Sequence, residues 1–255
     1  MTPGADEASI GAGPQTAPPA ALSPFERIAG IFVSPVETMR DIARRPDFLV
    51  PLLLIVLVSL ACTAVVMRHI DFASDIRAGF EDSGRTMSAQ QSDRALKWGV
   101  TIGKTFAWLS PVLLPAWWAI YAGIVLLLFR MFGADMTYGQ SFAVKVYSVL
   151  PGLLRGIITA IVVSTRGMIP ARGMGTIVRS NAAFLVDLKA HPVLFTFLAS
   201  FDVFTLWALV LSIIGYAYAA NVSRTRAALA IVSLFLLGLF LSVGFAAIGA
   251  GMNRA

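Results

Sequence analysis

Five stretches of this chain run for about twenty residues or more with little or no charge, and that pattern limits its fold more than any other feature. A bilayer's hydrocarbon core is about 30 Å thick and a helix rises about 1.5 Å per residue, so roughly 20 apolar residues make one crossing. Residues 48–67 offer twenty uncharged positions between Asp47 and Arg68, and residues 105–129 offer twenty-five between Lys104 and Arg130. Two more lie at 203–223 and 227–250. The stretch at 141–165 is also apolar, but Lys145 and Arg155 interrupt it and Pro151-Gly152 lies between them. We read all five as helical spans. Pro51 falls in the first turns of its span, where proline costs little. Pro111 and Pro115 suggest an entry segment or a kink in the second.

Charged residues make up 13% of the chain and apolar ones 57%. A soluble domain carries about 25% charged residues. Disorder, collagen, coiled coil and most soluble enzymes are thereby excluded. The expected fold is all-α: a polytopic integral membrane protein with a five-span helical bundle over residues 48–253 and an N-terminal amphipathic helical arm over 23–47. The formal charge of +6 comes from basic residues dispersed at the ends of apolar runs, so no nucleic-acid partner is expected. Cys62 is the single cysteine, which excludes an intrachain disulfide.

Residues 1–22 are rich in Ala, Pro, Gly and Thr and lack the basic start and apolar core of a secretory signal. A disordered tail is expected there. A motif then occurs twice, Ser23-Pro24-Phe25-Glu26 and Ser34-Pro35-Val36-Glu37. Serine at the N-cap accepts from the N–H three residues on, proline at N1 gives up no needed donor, and glutamate at N3 reaches back to the N-cap N–H. Each box predicts a short helix. Phe25, Ile28 and Phe32 share a face of the first. Val36 and Met39 share a face of the second, with Arg40 and Arg44 elsewhere. Such an arm either lies at the membrane surface or packs under the bundle, or it docks a protein partner.

Connections alternate in length: long over 68–104, short over 130–140, long over 166–201, very short over 221–226. Spans two and three, and four and five, therefore pair as hairpins, with both long loops opposite the arm. Residues 88–104 read as a helix running into the second span, and residues 177–188 as a surface helix. Lys and Arg number seven on the arm's side and eleven on the other. Close to the span ends, where the rule applies, the balance tips slightly to the arm's side. Charge bias alone leaves the orientation open.

No catalytic motif is visible, and His69 and His191 are too few and too scattered for zinc. No cofactor, metal site or enzymatic activity is expected. The candidate site residues are ionisable groups at membrane depth. A mid-span arginine costs about 3 kcal/mol on insertion scales, so Arg155 should face the interior and find a partner. Asp202 is the acid best suited by type, with Asp135 and Asp187 as others. Lys145 lies nearer its span's start, where it can snorkel to the interface. Arg155 reads either as an anion or headgroup contact or as a structural ion pair. Gly99-x-x-x-Gly103 and Gly152-x-x-x-Gly156 have the spacing of close-packed membrane helices, within the bundle or as a dimer face.

Several segments together resemble a known family. They are Pro24-Phe25-Glu26-Arg27-Ile28, then Ile31-Phe32-Val33-Ser34-Pro35-Val36-Glu37-Thr38-Met39, then Arg45-Pro46-Asp47 and Val50-Pro51-Leu52-Leu53. Phe201-Asp202-Val203-Phe204-Thr205-Leu206-Trp207 and Asn221-Val222-Ser223-Arg224-Thr225-Arg226 complete the set. Over roughly residues 24–250 the chain is similar to the Yip domain family (Ypt/Rab-interacting proteins), in its bacterial form. The resemblance implies five spans, a cytosolic N-terminus and an outward C-terminus. It also implies kinship with eukaryotic proteins that bind small GTPases and act in vesicle traffic. Sixteen arginines against four lysines fit a bacterial source. The expected location is then the bacterial cytoplasmic (inner) membrane, with the N-terminus in the cytoplasm.

Two functional expectations follow. One is a non-enzymatic scaffold or adaptor organising membrane proteins or lipids through the arm. The alternative is a small transporter or lipid-translocating protein using Arg155. The partners expected are the lipid bilayer, a membrane protein of unknown identity and, through the glycine spacing, a second copy of the chain.

Overall fold

The structure is a computed structural model that describes residues 22–82, 88–188 and 190–252. The tail expected over residues 1–22 lies outside the described residues but for Leu22. Helix α1 (Pro24–Val33) starts at the first box. The Ser23 hydroxyl accepts from the Glu26 N–H (3.3 Å) and the Glu26 carboxylate accepts from the Ser23 N–H (2.7 Å). Chiefly through that backbone hydrogen bond, the Glu26 carboxyl is held below its ordinary pKa.

Helix α2 (Pro35–Arg44) follows with only Ser34 between, and the second box expected at Ser34 and Glu37 does not form. Ser34 is already the C-cap of α1: its N–H donates to the Gly30 carbonyl (2.8 Å), so Glu37 has no N–H to reach back to. Its carbonyl accepts from both the Thr38 N–H (3.1 Å) and the Thr38 hydroxyl (2.9 Å). Gly30 lets the two helices meet, since a Cβ there would collide with the Thr38 hydroxyl.

Helix α3 (Leu49–Val66) is the first span. Beyond it lie a two-residue strand β1 (Ile70–Asp71) and helix α4 (Phe72–Asp82). Helix α5 (Ala89–Met131) carries the second span within 43 residues. At about 1.5 Å per residue it is roughly twice as long as the hydrocarbon core is thick. The helix runs unbroken through Pro111 and Pro115. Pro111 cannot donate to the Ala107 carbonyl, and the Ser110 hydroxyl supplies that bond instead (3.0 Å). The Gly99/Gly103 pair serves α4 and not another span: Cβ atoms there would meet Ile76 at 2.7 Å and Phe72 at 2.8 Å.

The third span begins at Tyr138 and ends at Ser164, three residues before the expected start and one before the expected end, and its helix is interrupted at a single residue. Helix α6 (Tyr138–Ser148) gives way at Val149 to α7 (Leu150–Ser164), with Pro151 in the first turn of α7. A short strand β2 (Ile169–Pro170) then pairs in parallel with β1, joining the far ends of α3 and α7. The surface helix expected over 177–188 is absent. Two short 3-10 turns, Ala171–Thr176 and Ala182–Leu185, occupy that loop, and the Asn181 side chain accepts from the Ala183 N–H (2.9 Å) in place of a helical bond.

Where a single fourth helix is expected there is a bent pair, α8 (Pro192–Ala199) and α9 (Val203–Ala219), at 50° to each other. It stops at Ala219, short of the expected 223. Asn221 takes φ 51°, its N–H donates to Tyr218 O (3.3 Å), and the Val222 N–H donates to Ala217 O (3.0 Å). That pair of bonds is a Schellman end with asparagine in the left-handed position. Helix α10 (Arg224–Met252) is the last span. Four helices are long and apolar enough to cross a membrane alone, and the number rises to five if the bent pair is one crossing. This is an all-α polytopic membrane protein.

The core gathers at the arm's end. Thr38, Met39, Ile42 and Ala43 of α2 are buried against α6 and α9. Tyr216 donates to Ser141 O (3.1 Å) and the Ser141 hydroxyl to Ala122 O (2.7 Å), linking α9, α6 and α5. Gly215 sits where α2, α6 and α9 meet: a Cβ there would lie 2.6 Å from Val144 Cγ1 and 3.0 Å from Met39 Sδ. Gly215→Ala gains about 1 kcal/mol of helix propensity. Overpacking costs about 1–3 kcal/mol. The expected net result is a lower unfolding midpoint in detergent, and a raised midpoint would show the junction to be loose.

Candidate functional site

Two regions carry the residues that the sequence singles out. The first is the arm. Arg27 of α1 is almost wholly buried; its Nε donates to Asp41 Oδ2 of α2 (2.7 Å) and its Nη1 to the Arg45 carbonyl (3.0 Å). The pair fixes α1 at a set angle on α2. Sequence reading missed it, although a basic residue three positions beyond the first proline and an acid in the next helix were both on view.

The arm's apolar residues divide between two surroundings. Ile31 of α1 and Met39 of α2 are in the core, so Met39 is not available to a partner. Ile28 and Val36 are half-buried against the bundle. Phe25 (71% exposed), Phe32 and Val33 (85%) point away from it. Arg44 is exposed. Arg40 is exposed too, but lies over the Tyr218 ring at 5.0 Å and donates from Nη2 to the Tyr218 hydroxyl (3.2 Å). At the C-terminal end of α2, the Gln140 side chain donates to Ala43 O (2.9 Å). Gln140 also closes a capping box with Thr137 at the start of α6, and Gln91 closes one with Ser88 at the start of α5. The same S/T-x-x-Q rule, applied along the chain, would have found both.

The second region lies at the other end of the bundle. Arg155 of α7 pairs through Nη1 with Asp202 Oδ2. Asp202 is fully buried and is the N-cap of α9. Its Oδ1 accepts from the N–H groups of Phe204 (2.8 Å) and Thr205 (3.0 Å), and its Oδ2 also accepts from the Ser180 hydroxyl (3.2 Å). One carboxylate thus joins α7, the 166–201 loop and the first turn of α9. The positive end of the helix dipole adds to its stabilisation. The Arg155 side chain remains 47% exposed. Asp187, weighed above as another acid for Arg155, accepts from the Ala190 N–H instead (2.8 Å).

Lys145 is apart from this cluster. Its ammonium sits over the Tyr121 ring of α5 at 4.3 Å, a cation–π contact and not an ion pair. The His69 ring bonds the Val65 carbonyl through Nδ1 (3.0 Å). Among the described residues no three of His, Cys, Asp and Glu come together to hold a metal ion. What the geometry offers is a rigid apolar surface at one end and a restrained guanidinium at the other.

A family model described as the Yip1 domain matches residues 29–245, most of the chain, from within α1 to all but the last turns of α10. No curated protein and no solved structure matches.

Proposed function

The chain belongs to the Yip1 domain family, and on that premise we propose that it is a non-enzymatic scaffold or adaptor that gathers another membrane protein through its N-terminal arm. The observation that carries this reading is the way α1 is held. A helix that merely floats in the headgroup region needs no fixed orientation. Here a buried arginine–aspartate pair and the Gly30–Thr38 contact lock α1 onto α2, and α2 is itself part of the core. The result is an apolar patch of Phe25, Phe32 and Val33 presented at a constant angle. Shape-fixed apolar patches of this kind are suited to protein recognition. On the family resemblance, the arm faces the cytoplasm of a bacterial inner membrane.

Deleting the arm is a poor test, because α2 supplies core side chains. A photo-cross-linking residue placed at Phe25 or Val33 is a better one. The expected result in native membranes is one reproducible protein adduct, absent from a control at lipid-facing Leu229 of α10 and lost in Val33→Asp of the Phe25-labelled chain. Lipid adducts alone at all three positions would overturn the reading.

A further inference from the structure

A cavity of about 580 Å³ lies between α3, α5 and α7, in the half of the bundle away from the arm. Its place follows from chain direction. The later half of α3 lines it, as do residues 107–118 of α5, which enter from the far side, and Met174, Val178 and Ser180 of the far-side loop border it. The volume falls within the roughly 300–1,000 Å³ of ligand pockets. Its walls are mainly apolar, with scattered hydroxyls from Ser59, Thr63 and Thr159. On α7, Gly152 and Gly156 give one wall a bare backbone surface, and a Cβ on either would meet nothing within 4 Å.

Among the described residues Arg155 is the one charged residue lining the cavity, and none of those lining it is a carboxylate. Its Nη1 goes to Asp202, and no other hydrogen bond from its guanidinium is made among the described residues. Asp202 meanwhile accepts four hydrogen bonds, two of them from the α9 backbone and one from Ser180. The carboxylate's charge is therefore shared among several donors. It holds the guanidinium in one orientation and leaves other N–H groups of the fork free at the cavity. An arginine fork in that state matches a phosphate.

We propose that this cavity binds one anionic phospholipid from the leaflet opposite the arm, with an acyl chain along the Gly152/Gly156 wall and its phosphate on the free edge of the Arg155 guanidinium. The apolar chamber and the cation are adjacent, as tail and headgroup are in a lipid. A free phosphate would use the cation and leave the chamber unfilled. The site lies at the opposite end of the molecule from the arm, and it stands whether or not the arm binds a protein.

The test is retention of lipid by the purified full chain, read by native mass spectrometry from mixed micelles of phosphatidylglycerol and phosphatidylcholine. One phosphatidylglycerol per chain is expected, favoured by about tenfold, because phosphatidylcholine presents the same phosphate together with a quaternary ammonium that the guanidinium repels. Gly156→Leu fills the chamber without touching the arginine, and leucine is the better helix former. It should abolish retention while the unfolding midpoint is kept. Arg155→Lys, which keeps the charge but has no fork, should weaken the preference, and Arg155→Gln should remove it. Equal retention of the two lipids by the wild type, or undiminished retention in Gly156→Leu, would overturn the proposal. Displacement of the lipid by millimolar inorganic phosphate would also overturn it and assign the site to a free anion.

Discussion

Asp41→Ala should lower the stability of this protein by about 3–5 kcal/mol, the range for leaving a buried charge without its partner. Arg27 has 4% of its side chain exposed and cannot turn to water while α1 stays in place. Its remaining bond, to the Arg45 carbonyl, does not neutralise it. The expected outcome is detachment of α1, seen as protease cleavage near residues 30–34 and a lower unfolding midpoint. The double variant Arg27→Met with Asp41→Leu should recover most of the loss, because an apolar pair of similar volume removes both charges together. A single-variant loss below about 1 kcal/mol would place the pair with ordinary surface ion pairs. It would also weaken the case that the arm is held rigidly.

Asp202→Ala is expected to cost about 2–3 kcal/mol, through two separable effects. An N-cap is worth about 1 kcal/mol, and the Phe204 and Thr205 N–H groups would lose their acceptor. The remainder is the loss of the hydrogen bonds from Arg155 and Ser180, discounted because Arg155 is half exposed. Asp202→Asn separates the two. Asparagine caps as well as aspartate, so it should recover about 1 kcal/mol and leave the ionic part lost. Hydrogen exchange in the first turn of α9 would follow the cap, being fast in Asp202→Ala and near wild type in Asp202→Asn. Equal protection in the wild type and both variants would show that the bend between α8 and α9 is held by packing alone.

The two variants act at opposite ends of the bundle, and they differ in how far the sequence foretold them. Asp202 is the acid best suited to Arg155 by chemical type, and the structure brings the two together across forty-seven residues. Nothing in the spacing of Arg155 and Asp202 requires it, since Asp135 and Asp187 were open by the same reasoning. The Arg27–Asp41 pair is not legible in the sequence, because the two amphipathic patterns of α1 and α2 say nothing of how the helices cross. Ser34 shows the same limit. The box motif is intact in the sequence, but it fails because the serine's N–H is already used by the preceding helix.

Crossing a bilayer is a requirement on each segment by itself: enough apolar residues in a row and no unpaired backbone. For that reason the sequence alone determined the all-α membrane class, the approximate spans, the first capping box and the short turn before the last span. Which surface of a segment meets which neighbour is a property of pairs. Only the tertiary structure decided that α2 lies in the core, that Gly99 and Gly103 receive α4, and that the chain bends between α8 and α9 ahead of Asp202. It also left Arg155 half free beside a cavity. Close approach between segments depends on side-chain shape at both surfaces, and a linear pattern of apolar and charged residues records only one surface at a time.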